Sequence, residues 1–100
     1  MTTENETEIE EQVERLNAKL DRLTDWGKKA HENMALDPST RTLNAGTLAA
    51  HALGDCVRRE LVPMLGDDFE VVRETKQLIA YLEGRARAVR ANLRGRGLLP

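Results

Sequence analysis

The chain has 100 residues, of which 40% are hydrophobic, 32% are charged and only three are aromatic, with a formal net charge of −2. This length suffices for one small hydrophobic core but excludes two independent ones. Few aromatic residues and many charged ones are typical of packed helices with solvated outer faces rather than of a sheet. We therefore predict a single all-α domain over residues 1–100.

A seam of apolar and small residues runs along the first predicted helix, from Ile9 to Met34. Its members are spaced alternately four and three residues apart, which is the heptad pattern of a helix that faces a partner helix. They are Ile9, Val13, Leu16, Leu20, Leu23, Gly27, Ala30 and Met34. The pattern predicts a long, coiled-coil-like N-terminal helix.

The start of this helix has two candidates. Thr3 precedes Glu6, and Thr7 precedes Glu10, with the spacing of a capping box in both cases. Residues 1–6 are polar and are predicted to be frayed.

The seam changes character at Gly27, where a core position has no side chain and Trp26 is its neighbour. Such a pair indicates that another backbone or a large side chain packs closely at this point. The plain alternative is a bend, with Trp26 packed on the edge of the core. Trp26 and Gly27 are therefore candidate partner-packing residues.

Two prolines divide the rest of the chain. Pro38 ends the first helix, because a proline disfavours helical geometry at the residue before it. The second helix is predicted over about residues 43–61 and is expected to end at Pro63. This helix is rich in alanine and glycine, which suits a central helix with neighbours on two sides.

The third helix is predicted to start at Asp68, since Asp67 and Glu70 have capping spacing. It carries its own seam to about Leu93, and residues 95–100 are predicted to form a tail that is either loose or docked through its leucines. The seam consists of Val72, Thr75, Ile79, Leu82, Ala86, Val89 and Leu93. The three helices predict an up-down-up bundle.

Charge is distributed unevenly along the chain. Residues 1–14 contain six glutamates and no lysine or arginine, whereas residues 83–100 contain five arginines and one glutamate. The arginines are Arg85, Arg87, Arg90, Arg94 and Arg96. Opposite ends of this kind can pair in a head-to-tail assembly or an antiparallel fold, or can face different partners. The plain alternative is the usual preference of acids for helix N-termini and of bases for C-termini.

The sequence offers little for catalysis, metals or cofactors. Cys56 is the only cysteine and is interpreted as a buried structural thiol, since no base is placed to activate it. His51 and Asp55 are one helical turn apart, but a metal site needs three or four ligands. We therefore expect no enzyme activity, no metal and no cofactor.

No apolar run is long enough to span a bilayer, and the acidic N-terminus lacks the pattern of a signal peptide. These features predict a protein of the cytoplasm with no membrane partner.

The first helix is longer than the second, so part of its seam is expected to lie outside the bundle. This predicts a protein interaction or assembly module that forms a homo-oligomer, most simply a dimer, and that binds a further protein partner. The interface residues would be Ile9, Val13, Leu16 and Leu20. The alternative is a nucleic-acid-associated protein, in which the five C-terminal arginines contact phosphates.

Overall fold

The computed structural model describes the backbone of residues 2–100 and the side chains of residues 6–100. Every regular element in these residues is helical. The elements are α1 (Thr2–Leu36), α2 (Thr40–Cys56), a π-helical turn (Val57–Leu61), α3 (Val62–Leu65) and α4 (Glu70–Gly95). Since α2, the π-helical turn and α3 follow one another without a break, residues 40–65 act as one helical segment. The predicted all-α three-helix bundle with a long first helix is confirmed.

The three helical segments pack in up-down-up order, and each contacts the other two. At one end, Leu20 of α1 packs with Leu61 and with Val72 at the start of α4. We call this the upper end; it is closed by the turn at residues 66–69. At the other end, which we call the lower end, the core contains Met34 and Leu93.

The core is built from aliphatic residues, and close approach of α1 to α2 replaces the bulk that aromatic rings would supply. A Cβ atom at Gly27 would lie 2.9 Å from Leu53 Cδ1 and 3.2 Å from Leu78 Cδ2. A Cβ atom at Gly46 would overlap the end of the Met34 side chain. Both Leu53 and Met34 are fully buried. The two glycines therefore let large side chains of the facing helix fill the space against their backbone.

The segment 40–65 begins with a capping box. The Ser39 hydroxyl accepts a hydrogen bond of 3.2 Å from the Thr42 backbone N–H, and the Ser39 N–H donates to Thr42 Oγ1 at 3.1 Å. These reciprocal bonds satisfy amides that the first turn leaves without a partner. The helix thus starts at Thr40, three residues before the predicted Leu43.

The prediction that Pro63 ends the second helix is wrong. The chain stays helical to Leu65, and Pro63 lies in the first turn of α3, where its missing N–H is tolerated. The π-helical turn before it is wider than an α-helical turn. The segment ends at Gly66, whose φ of 82° lies in the left-handed region.

The predicted start of α4 at Asp68 is also wrong, because the helix begins at Glu70. Its N-cap residue is Phe69, which has extended backbone angles and no capping side-chain bond. Asp67 instead accepts a hydrogen bond of 2.7 Å from Lys76 Nζ, two turns into α4. This hydrogen bond holds the turn at residues 66–69 against the side of α4.

The C-terminal tail docks on the bundle, which is the second of the two predicted alternatives. The Leu98 N–H donates to the Leu93 carbonyl at 2.8 Å, and the Gly97 N–H donates to the Arg94 carbonyl at 3.0 Å. With φ of 73° at Gly97, this is a Schellman motif. Leu99 then packs against the lower core.

The first helix is much longer than the bundle it belongs to. Its 35 residues span ~52 Å at about 1.5 Å per residue, and the molecule measures 64 × 21 × 20 Å. Helix α1 begins at Thr2, so the backbone of residues 2–6, predicted to be frayed, is helical.

We expect Gly27→Ala to destabilise the protein by up to about 2 kcal/mol. Overpacking against the buried Leu53 costs about 1–3 kcal/mol and outweighs the helix-propensity gain of about 1 kcal/mol. Gly84→Ala is the matched control, because the nearest side-chain atom to its Cβ would be Arg87 Nη2 at 3.9 Å. That variant should be neutral or more stable. Urea unfolding measures both free energies, and equal effects of the two substitutions would contradict the packing at Gly27.

Candidate functional site

The N-terminal end of α1 extends beyond the upper end of the bundle. Residues 6–15, which we call the overhang, are all exposed. Ile9 and Val13 are 59% and 39% exposed. Leu16 is half-buried against the upper core, and Leu20 is buried in it. The exposed part of the predicted interface is therefore Ile9 and Val13, with Leu16 at its edge, while Leu20 belongs to the protomer core.

The overhang is strongly acidic. Five glutamates and no cation occur between residues 6 and 14. Arg15, at the inner end, pairs with Glu11 at 3.7 Å in the expected i, i+4 arrangement. Both partners are exposed, so this pair contributes only a few tenths of a kcal/mol. An apolar stripe on an acidic helix is thus the surface that α1 presents to solvent.

A second surface lies between α2 and α4, on the side of the bundle away from α1. It is an open groove with a volume of about 630 Å³, which we call the α2–α4 groove. Small residues line its lower part: Gly46, Ala50 and Ala86. Larger apolar residues, among them Val57 and Ile79, line its upper part.

The rim of the α2–α4 groove is basic. Arg58, Lys76, Arg87 and Arg90 line it, together with a single carboxylate, Glu83. The two cations of the upper part are paired, Arg58 with Asp55 at 2.5 Å and Lys76 with Asp67 at 2.7 Å. Arg87 and Arg90, in the lower part, form no ion pair with any side chain among residues 6–100. Among the described side chains, no ion pair therefore neutralises the charge of the lower part.

The structure separates the five arginines predicted as nucleic-acid contacts. Arg87 and Arg90 share the groove, and Arg94 lies one helical turn beyond Arg90 on the same flank. Arg85 is exposed on another side of α4, and Arg96 lies in the C-terminal turn. The basic surface is thus built from two helical segments, and it includes Arg58 and Lys76, which were not among the five predicted contacts.

Trp26 and Gly27 face different surroundings. Gly27 is packed inside the protomer against Leu53 and Leu78. Trp26 remains 40% exposed on the adjacent face of α1. The large side chain that approaches Gly27 comes from α2 of the same chain, so this glycine needs no second molecule.

An ion pair links α1 to the π-helical turn and reaches the only cysteine. Lys19 Nζ lies 2.9 Å from Glu60 Oε2 and donates to Oε1 at 3.1 Å. The hydrogen bond between these two side chains raises the pKa of Lys19 and lowers the pKa of Glu60. Burial, followed by hydrogen bonding to Glu60, raises the pKa of the Cys56 thiol to about 11. This cluster went unnoticed in the sequence because 41 residues separate Lys19 from Glu60.

The histidines take up ordinary surface positions. Asp55, which was considered as a partner for His51, binds Arg58 instead. The ring of His31 is tilted against that of Tyr81, with centroids 6.5 Å apart. No group of three or more potential metal ligands occurs among the side chains of residues 6–100.

We found no family model, no curated protein and no solved structure that this chain matches. In the described residues, no helix combines the length and the apolar character needed to cross a membrane. Function must therefore be inferred from the two surfaces and from the cysteine cluster.

The raised pKa and the burial of Cys56 predict an inert thiol. At pH 8, a pKa of about 11 instead of 9.0 lowers the thiolate fraction about 100-fold. Alkylation by iodoacetamide should therefore be at least about 100-fold slower in the native protein than in urea. Native alkylation at the unfolded rate would show an accessible, activated thiol and would favour an enzyme.

The same thiol predicts a loss of stability at high pH. Because folding raises its pKa from 9.0 to about 11, its contribution is complete below pH 9 and disappears as the pH rises to 11. The free energy of unfolding of the native sequence should fall by about 2–3 kcal/mol more than that of Cys56→Ala over this range. Denaturant unfolding at pH 8, 9, 10 and 11 tests this expectation, and parallel curves for the two proteins would contradict it.

Proposed function

We propose that this protein is a non-enzymatic assembly module that self-associates through the overhang of α1. The observation that carries this proposal is the exposure of Ile9 and Val13 in heptad register with the buried Leu20. A heptad stripe is stable only when a facing surface covers it. Within one copy the stripe is covered from Leu20 onward, so the remainder is available to another copy.

Covering the exposed stripe favours association. Full burial of an isoleucine or valine side chain contributes about 1.5–3 kcal/mol, and the exposed 59% of Ile9 and 39% of Val13 each supply a part of that amount. The overhang presents these residues on a helix ~15 Å long, and the side chains of residues 6–15 are all exposed. Both the apolar residues and the rigid helix that displays them are typical of helix-in-groove recognition between proteins.

A second candidate function is nucleic-acid association through the α2–α4 groove. The unpaired Arg87 and Arg90, with Arg94 on the same flank, favour it, since phosphates would neutralise them. The groove residues include no Phe, Tyr or Trp on which a base could stack, and His51 is the one ring among them. The acidic overhang would in addition repel a polyanion.

At tens of micromolar, we expect the native protein to have a sedimentation mass above that of one 11.2 kDa chain. The variant Ile9→Gln/Val13→Gln should have the mass of a monomer. The double substitution keeps charge and helix propensity but removes two apolar contacts, which weakens association about 100-fold. Sedimentation equilibrium measures the masses.

Leu48→Gln is the matched control for this experiment. Leu48 is 60% exposed on α2, close to the value for Ile9, and lies outside both surfaces. This control should associate like the native protein. A monomeric native protein at tens of micromolar would refute the proposed function.

A further inference from the structure

We infer that the overhang of one copy docks in the α2–α4 groove of a second copy, entering at the lower end, so that copies associate head to tail. The inference rests on the proposed function and deepens it, because it names the surface that receives the overhang.

Charge favours the groove over a second overhang as the binding surface. Two overhangs side by side would bring together five glutamates from each copy over residues 6–14. Like charges at such distances oppose association. The lower part of the groove instead offers Arg87 and Arg90, which have no ion-pair partner among the side chains of residues 6–100.

The groove also has the shape that a helix requires. Gly46, Ala50 and Ala86 line its lower part, and small residues let a helix pack at an interaxial distance of about 8–10 Å. From Gly46 to Arg58 the groove is ~18 Å long, and the overhang is ~15 Å long. One overhang therefore covers most of one groove and places its glutamates beside the basic rim.

The direction of the heptad stripe sets the arrangement of the copies. Ile9 and Val13 continue the stripe of Leu20, which faces the π-helical turn and α4. The space beside the bundle on that side is filled by the chain's own helices. A copy that covers the stripe must therefore lie in line with the bundle, beyond its upper end.

The overhang can enter the groove of such a copy from the upper or from the lower end, and the cations of the rim distinguish these two directions. The cations near the upper end, Arg58 and Lys76, are already paired, whereas those near the lower end are not. The upper end of one copy should therefore meet the lower end of the next. Because the overhang and the α2–α4 groove are separate surfaces of one copy, each added copy leaves one of each open. Contacts of this heterologous kind grow beyond a dimer unless a ring closes.

The first test is the mass of the native protein by light scattering over a range of concentrations. We expect it to rise past twice 11.2 kDa and to fall as salt is raised. Arg87→Glu/Arg90→Glu should weaken association at least about tenfold. Arg85→Glu/Arg96→Glu is the matched control, with the same change in net charge outside the groove, and should assemble like the native protein.

The second test mixes two variants that carry one working surface each. Ile9→Gln/Val13→Gln retains the groove, and Arg87→Glu/Arg90→Glu retains the overhang. Each should be monomeric alone, and an equimolar mixture should form a one-to-one dimer that does not grow. Circular dichroism of both variants should match that of the native protein, since none of the four side chains belongs to the core or to an ion pair within residues 6–100.

A third measurement tests the charge pairing between overhang and groove directly, by exchanging the charges of the two surfaces. Glu6→Lys/Glu10→Lys, added to Arg87→Glu/Arg90→Glu, exchanges the two charges and should restore growth beyond a dimer. Restored assembly would support the docking of overhang in groove.

The outcomes separate this inference from the proposed function. If the native protein is monomeric, both fail. If Arg87→Glu/Arg90→Glu assembles like the native protein while Ile9→Gln/Val13→Gln does not, self-association stands and the groove is not its site.

A gel shift with a 20-base-pair DNA duplex tests whether the groove binds nucleic acid instead. Binding that is lost in Arg87→Glu/Arg90→Glu, with assembly unchanged, would overturn the inference and assign the groove to nucleic acid.

Discussion

The close approach of α1 to α2 is the contact on which the rest of the structure depends. Gly27 accommodates Leu53, and Gly46 accommodates Met34, so each helix supplies one glycine and one large side chain to the contact. In a core without aromatic residues, this interlocking provides the packing density that a stable bundle needs. It also commits α1 from Leu20 onward to its own chain. The remaining N-terminal turns are left outside, and the proposed function follows from that division.

The π-helical turn gives the segment 40–65 its continuity. In a regular α-helix, Pro63 would lack one backbone hydrogen bond and its ring would collide with the carbonyl four residues earlier. The wider turn at residues 57–61 relieves this conflict while Val57 and Leu61 stay buried. It also places Glu60 opposite Lys19, so that an ion pair holds α1 at the point where it leaves the bundle. Both side chains of this pair are partly exposed, and orientation rather than large stability is its main effect.

The sequence predicts the helices well and their connections poorly. Heptad spacing predicted α1, because periodicity records which side of a helix is buried. It placed Leu20 in the interface, although this residue is buried in the protomer. The start of α4 was misplaced, since Asp67 binds Lys76 in place of a capping partner, a choice made by tertiary structure. The end of the second helix was misplaced at Pro63 because the π-helical turn before it accommodates the proline, and the sequence gives no sign of that turn. The groove was missed because it joins Arg58 to residues of α4 far away in sequence, and spacing within one helix carries no information on such pairs.

The length of the overhang links folding to association. Residues 6–15 are all exposed, so these turns of α1 depend on helix propensity more than on packing against their own bundle. Docking would therefore consolidate these turns as well as cover Ile9 and Val13. Residues of the overhang that touch no partner then influence affinity through helix propensity alone. Selection could tune the strength of assembly by substitutions outside the contact, leaving the surfaces that determine its specificity unchanged.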